Sequence, residues 1–174
     1  LLLDALDHGP GVEYATMTSI HAYSSDQPLQ DYAQGDQRRS RSAAQNIIPN
    51  ANASAACVEQ LLPRFAGRLS GCALNVPVQR GSLLDLNCVL REVANAEAIN
   101  DVIRAAAAAR PRMIAVAEDP IVSSDVIGCR QTLLFDARGT QRAGSRMVKT
   151  LAWYETLGHA CRVLDVVRTY AALA

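Results

Sequence analysis

A chain of 174 residues, 49% of them hydrophobic, matches one compact domain with a substantial core. Its 17 basic and 17 acidic side chains cancel, so no whole-molecule field draws it to nucleic acid or an anionic membrane, and neither is expected as a partner. The longest apolar runs fall far short of the roughly 18 to 20 residues that span a bilayer, and Leu1-Leu2-Leu3 meets Asp4 at once, so neither a signal peptide nor a transmembrane segment is expected.

Leu1 to His8 reads as the last turns of a helix, stopped by Gly9-Pro10-Gly11. The alternation from Val12 to Ile20 has the period of a strand and delivers His21 at or near its end, a rigid mount for an imidazole. Ser24, Ser25 and Asp26 follow in a loop closed by Pro28, a setting in which scaffolds carry binding groups. A histidine so placed is also commonly a satisfied structural residue, and composition does not decide between the two. Gln27 to Gln37 lacks periodicity and is expected to be irregular; it runs into Arg38-Arg39-Ser40-Arg41, either a solvated face or a cluster that grips anions bidentately.

Ser54 to Leu62 is predicted helical, ended by Pro63, with Asn50-Ala51-Asn52 offering N-cap side chains. Cys72 to Val78 and Ser82 to Arg91, separated by the turn-like Gln79-Arg80-Gly81, read as antiparallel strands, the second with Leu84, Leu86, Cys88 and Leu90 on one face. From Asn95, a plausible N-cap, Ala98, Ile99, Val102, Ile103 and Ala106 keep helical spacing to about Ala109, before Arg110-Pro111. Strands are predicted over Met113 to Ala117, Gln131 to Phe135 and Arg146 to Tyr154. A closing helix from about Cys161 to Leu173 is expected to turn Val163, Val166, Val167 and Tyr170 towards a core. Strands outnumber crossover helices and several are closely joined, so the expected fold is α+β: a mostly antiparallel mixed sheet with helices packed on one face.

Cys57, Cys72, Cys88, Cys129 and Cys161 are odd in number and widely spaced, with no Cys-x-x-Cys, so free thiols in a reducing cytoplasm are expected and no metal site is. No Gly-x-Gly-x-x-Gly, Walker loop or HExxH occurs, so the chain has no nucleotide fold of its own. It begins without methionine, in what reads as the middle of a helix, which fits a piece of a longer polypeptide.

Motifs along nearly the whole chain carry a resemblance. They are Met17-Thr18-Ser19-Ile20-His21-Ala22-Tyr23, Arg38-Arg39-Ser40-Arg41, Gln45-Asn46-Ile47-Ile48-Pro49, Val76-Pro77-Val78 with Asp85-Leu86, Glu118-Asp119-Pro120 to Ser123-Ser124-Asp125, Phe135-Asp136-Ala137, and Val148-Lys149 to Trp153-Tyr154. In this order they resemble the C-terminal catalytic domain of the phosphorylating glyceraldehyde-3-phosphate dehydrogenases, a family that includes the erythrose-4-phosphate dehydrogenases. The resemblance implies a two-domain subunit, usually in a homotetramer, with a Rossmann domain for NAD or NADP upstream and residues 1–174 as the single catalytic domain. It implies that a cysteine attacks a phosphorylated aldehyde, hydride leaves for the nicotinamide, and inorganic phosphate cleaves the thioester. By the family's spacing that cysteine falls just before Leu1, and none of the five present takes its place.

On this likeness His21 is the catalytic base, which favours the thiolate and then takes the hydroxyl proton. Ser24, standing where the family has threonine, Asp26 and Arg38 belong to the region that binds substrate phosphate, with Asp26 orienting Arg38. The family's Thr-Gly after Ile-Ile-Pro is here Asn52-Ala53. Its arginine before Val-Pro is Asn75, a change that removes a charge-assisted contact of about 1.5 to 3 kcal/mol. Its Asp-Asn-Glu-x-Gly-Tyr is shortened to Glu155-Thr156-Leu157-Gly158-His159, leaving Thr156 as the nearest stand-in for the asparagine that holds the nicotinamide amide. Two readings stay open: an active dehydrogenase domain, and a catalytically impaired paralogue that keeps the fold for assembly or regulation.

Overall fold

Val12–Ala22 forms strand β1, the strand on which the sheet is assembled in the computed structural model, which describes residues 1–173. Helix α1 (Leu2–His8) precedes it. After it come β2 (Ile48–Ala51), α2 (Ser54–Leu61), β3 (Leu69–Val76), β4 (Ser82–Leu90), α3 (Ala96–Ala109), β5 (Ile114–Ala117), β6 (Leu133–Ala143), β7 (Met147–Tyr154) and α4 (Thr156–Ala171). The strands form one seven-stranded sheet in the order β2-β3-β1-β4-β7-β6-β5. Only the β1–β3 and β5–β6 neighbours are parallel. The other pairs run antiparallel, giving the mostly antiparallel mixed sheet of an α+β fold.

The turn at Gln79-Arg80-Gly81 does not close a hairpin. β3 and β4 do run in opposite directions, but β1 lies between them, hydrogen-bonded to both. A short turn fixes direction, whereas the partner is the strand that best buries both faces. Gly71 permits the close approach of β3, since a Cβ there would lie 2.6 Å from Met17 Cγ.

One face of the sheet is covered. Leu2, Leu3 and Leu6 of α1 and Ile99 and Ile103 of α3 pack with Leu86, Cys88 and Leu90 of β4, Phe135 of β6 and Val148 and Ala152 of β7. Ala55 and Val58 of α2 flank the same core. The strand alternation read in β4 and the helical spacing read in α3 thus meet in one apolar layer. Asn95 caps α3 by accepting from the Ala98 amide at 2.8 Å.

α4 departs from expectation. It starts at Thr156, not near Cys161, because Glu155 caps it by accepting from the Leu157 amide at 3.0 Å. Its Val163, Val166, Val167 and Tyr170 are exposed, at 50%, 55%, 57% and 71%, and not turned to a core. The side that packs carries Gly158, where a Cβ would strike the Gln131 carbonyl, followed by Cys161, Arg162 and Asp165. Periodicity reported an apolar stripe correctly but not whether anything lies against it. Among the described residues no helix is long and apolar enough to cross a membrane.

Candidate active site

His21 is the penultimate residue of β1, in register with Asn75 on parallel β3. Its ring meets Tyr154, the last residue of β7, edge to face, with centroids 5.9 Å apart and planes at 88°. Nδ1 lies 3.3 Å from the Tyr154 hydroxyl oxygen. The ring is half-buried, and that burial pushes the His21 pKa below its ordinary 6.5, so the neutral imidazole prevails near pH 7. Burial raises the Tyr154 phenol, which stays protonated, while Ser19 and Ser82 hydrogen-bond to it. With the ring hydrogen on Nδ1 and donated to the Tyr154 oxygen, Nε2 keeps a lone pair for proton transfer.

Ser19 extends this network. It sits two residues before His21 on the same sheet face and accepts from Asn52 Nδ2 at 3.0 Å. Asn52 also donates to the Cys72 carbonyl at 3.2 Å and accepts from the Ser54 amide at 2.9 Å, fixing the entry to α2. The N-cap position of α2 belongs to Ala53, whose methyl group adds no polar atom, while Asn50 and Ala51 lie in β2. Asn75 is buried; its Nδ2 donates to the Ala22 carbonyl at 3.2 Å and its Oδ1 accepts from Asn50. The neutral side chain therefore ties the ends of β1, β2 and β3 together beside His21.

The other predicted residues fall into the loop between β1 and β2. Ser24 donates to Asp26 Oδ1 at 2.5 Å, and this bond, with the nearby Arg39, holds the Asp26 carboxyl below its usual range. The ion pair of Asp26 is with Arg39, not Arg38. Arg38 is exposed, its amide donates to Asp36 Oδ1 at 2.8 Å, and its guanidinium has no carboxylate partner among the described residues. Arg41 pairs with Asp31 at 3.1 Å. Thr156, the first residue of α4, presents an exposed hydroxyl two residues beyond Tyr154.

Tyr154, Ser19 and Ser82 complete the site without having been singled out. Ser19 shares the strand period with His21, a signal present in the sequence. Tyr154 reaches the ring, and Ser82 reaches Tyr154, only through the β1–β4–β7 pairings. Beside Tyr154 a cavity of about 410 Å³ is lined by Leu1, Met17, Leu84, Thr132 and Leu133 among others. The five cysteines are unpaired. Cys88 is buried in the core with its thiol pushed up to about 12, and Cys72 contacts Thr18 at 3.7 Å on the face opposite His21. The arrangement can hold a neutral base at a strand end, with hydroxyl and amide groups around it, and among the described residues no cysteine is hydrogen-bonded to that base.

Comparison with known proteins gives the chain its relatives. A family model described as the C-terminal domain of glyceraldehyde 3-phosphate dehydrogenase matches residues 1–156. The glyceraldehyde-3-phosphate dehydrogenase of Kitasatospora aureofaciens is 38% identical over 173 residues, covering 98% of this chain and 52% of that protein. That of Clostridium acetobutylicum is 39% identical over 170 residues, 94% of this chain and 50% of that protein. Glyceraldehyde-3-phosphate dehydrogenase 2 of Bacillus subtilis is 36% identical over 173 residues, 98% and 51% respectively. The chain spans about half the length of the curated relatives it matches.

Proposed function

The chain belongs to the glyceraldehyde 3-phosphate dehydrogenase family as its C-terminal domain, and from that premise we propose that it is the catalytic, substrate-binding domain of an NAD- or NADP-dependent phosphorylating aldehyde dehydrogenase. In the full protein a Rossmann domain precedes it, a cysteine ahead of Leu1 is the nucleophile, and the subunit works as a cytoplasmic homotetramer. The substrate is a sugar-phosphate aldehyde, and inorganic phosphate receives the acyl group.

The observation that carries this reading is His21 itself, half-buried, kept neutral by its surroundings and oriented through Nδ1 by Tyr154. A neutral imidazole with one nitrogen anchored is equipped to take a proton from a thiol and then from the hydroxyl of a thiol adduct. Leu1 and Tyr154 line the same cavity, which supports a nucleophile supplied from just upstream of Leu1. Ser24 and the open guanidinium of Arg38 offer a donor and a charge for the substrate phosphate. The dinucleotide supplies a hydride acceptor when bound. Residues here fit only its nicotinamide edge: the exposed Thr156 hydroxyl lies beside the Tyr154 strand end, and the chain has no glycine-rich loop for the pyrophosphate.

Asn75 favours a second reading, that of a catalytically impaired paralogue serving assembly or regulation. Its amide is spent on Ala22 and Asn50, and it brings no charge to an anionic substrate. The deciding measurement is reduction of NAD or NADP by the full-length protein with glyceraldehyde 3-phosphate or erythrose 4-phosphate, with and without phosphate. Phosphate-dependent turnover that disappears in His21→Ala upholds the dehydrogenase; absence of turnover with every phosphorylated aldehyde upholds the paralogue.

A further inference from the structure

Of the motifs Phe135-Asp136-Ala137 and Trp153-Tyr154, the site described so far uses only Tyr154. The two motifs meet across the β6–β7 ladder. Leu134 and Trp153, Phe135 and Ala152, and Asp136 and Leu151 are register partners, and there the ladder breaks: the next pair is Gln141 with Lys149, so Ala137 to Thr140 stand opposite Thr150 alone. Such a bulge strands backbone groups that a regular ladder would pair, and a bulge beside a functional site serves to aim a side chain.

Two buried side chains meet the stranded groups. Asn100 of α3 donates from Nδ2 to the Ala137 carbonyl at 3.0 Å and accepts from the Thr140 hydroxyl at 2.7 Å. Asp136 takes the Arg138 and Gly139 amides on Oδ1, at 3.1 and 3.0 Å. Gly139 lets the bulge close on β7, since a Cβ there would lie 2.8 Å from Leu151 Cβ. The second oxygen of Asp136 is left for another donor, and it accepts from Trp153 Nε1 at 3.1 Å. Asp136 is 7% exposed, and three N–H groups serve its carboxylate in place of a cation. Loss of any one of them leaves a buried oxygen underserved, so the carboxylate and its donors hold one another in place.

Adjacent residues of a strand point to opposite faces, so the indole that Asp136 holds and the phenol that meets His21 lie on opposite sides of the end of β7. We propose that Asp136 is a positioning residue for the His21 site: by fixing the bulge and the Trp153 indole with one carboxylate, it sets the end of β7 and so holds the Tyr154 hydroxyl against His21 Nδ1. Asp136 and Asn100 are buried within the chain, so their contacts need no surface to stay open. The effect on the ring is a matter of geometry; only its consequence for turnover rests on the dehydrogenase reading.

The test is ring-nitrogen NMR of His21 in the full-length protein, assigned by the signal lost in His21→Ala, with Asp136→Asn and Trp153→Phe as variants. An amide in place of the carboxylate has one acceptor oxygen and cannot serve the bulge and the indole together. Phenylalanine keeps an aromatic ring and removes the indole donor, so Trp153→Phe spares the bulge and reads the link by itself even where Asp136→Asn fails to fold. In both variants the ratio of the Nδ1–H to the Nε2–H form of neutral His21 should fall by roughly fivefold, the worth of one hydrogen bond. Where the full-length protein turns over, kcat should fall roughly tenfold with KM for the aldehyde little changed. Leu90→Ala, a core change at the far end of β4, should lower the melting temperature and leave the ratio alone. An unchanged ratio in folded Trp153→Phe, or an equal fall in Leu90→Ala, overturns the proposal. A shifted ratio in a protein without turnover upholds the positioning and counts against the dehydrogenase reading instead.

Discussion

The end of β1 and the helix α4 are held by different means. His21 sits on a central strand paired on both sides, its ring met by Tyr154 of β7, with Asn75 of β3 tied to the next residue, Ala22. α4 touches the rest of the chain through Gly158, Cys161, Arg162 and Asp165 and turns most of its apolar side chains outward. The contrast teaches that an orientation fit for chemistry comes from ladders and cross-strand contacts, while a helix with one polar seam is positioned but not buried.

Four measurements break or sharpen the contrast. The largest effect belongs to the strand end: on the proposed dehydrogenase reading, His21→Ala in the full-length protein is expected to slow acylation by roughly 10² to 10⁴-fold, measured by single-turnover kinetics. Val166→Ala on α4 should leave that rate unaltered, and an equal loss there would erase the distinction. Next comes packing. Phe135→Ala, in the core, should lower unfolding free energy by about 3 to 5 kcal/mol in denaturant titrations, and Val166→Ala on α4 by no more than about 0.5 kcal/mol. A core-sized loss at Val166 would show that another surface covers the helix.

A smaller change is expected at Asn75. Truncation to alanine leaves the Ala22 carbonyl and the Asn50 amide without their partner, and should destabilise by about 1 to 3 kcal/mol by the same titration. The smallest effect is that of pH. Burial favours neutral His21 in the folded state, so its pKa there lies below the unfolded 6.5. The resulting stabilisation is fully present above the unfolded value and is lost as pH falls through the folded one. An NMR titration of the ring should give a midpoint under 6.5, and a midpoint at or above that value would show that the ring is not desolvated as described.

Much of the fold was legible because it follows local rules. The period of two in β1 and β4, the spacing and Asn95 cap of α3, and the stop at Gly9-Pro10-Gly11 are all found where read. β2 was hidden because Ile48–Ala51 is too short to show a period, and β6 runs on to Ala143 through polar residues that carry little strand signal. Of the site, His21 was visible from its strand and its motif. The pairing of Asp26 with Arg39 in place of Arg38 was not, since a loop without periodicity gives adjacent arginines equal standing.

The sequence by itself determined most of the helices and strands, though not β2 or the bounds of β6 and α4, as well as which faces are apolar and which family the motifs resemble, because these depend on neighbours a few residues apart. Tertiary structure alone decided that β1 separates β3 from β4, that Tyr154 braces the imidazole, and that α4 shows its valines outward. Those outcomes rest on contacts between residues distant in sequence, such as the 133 positions separating His21 from Tyr154, and a local pattern holds no record of which remote surface will meet it.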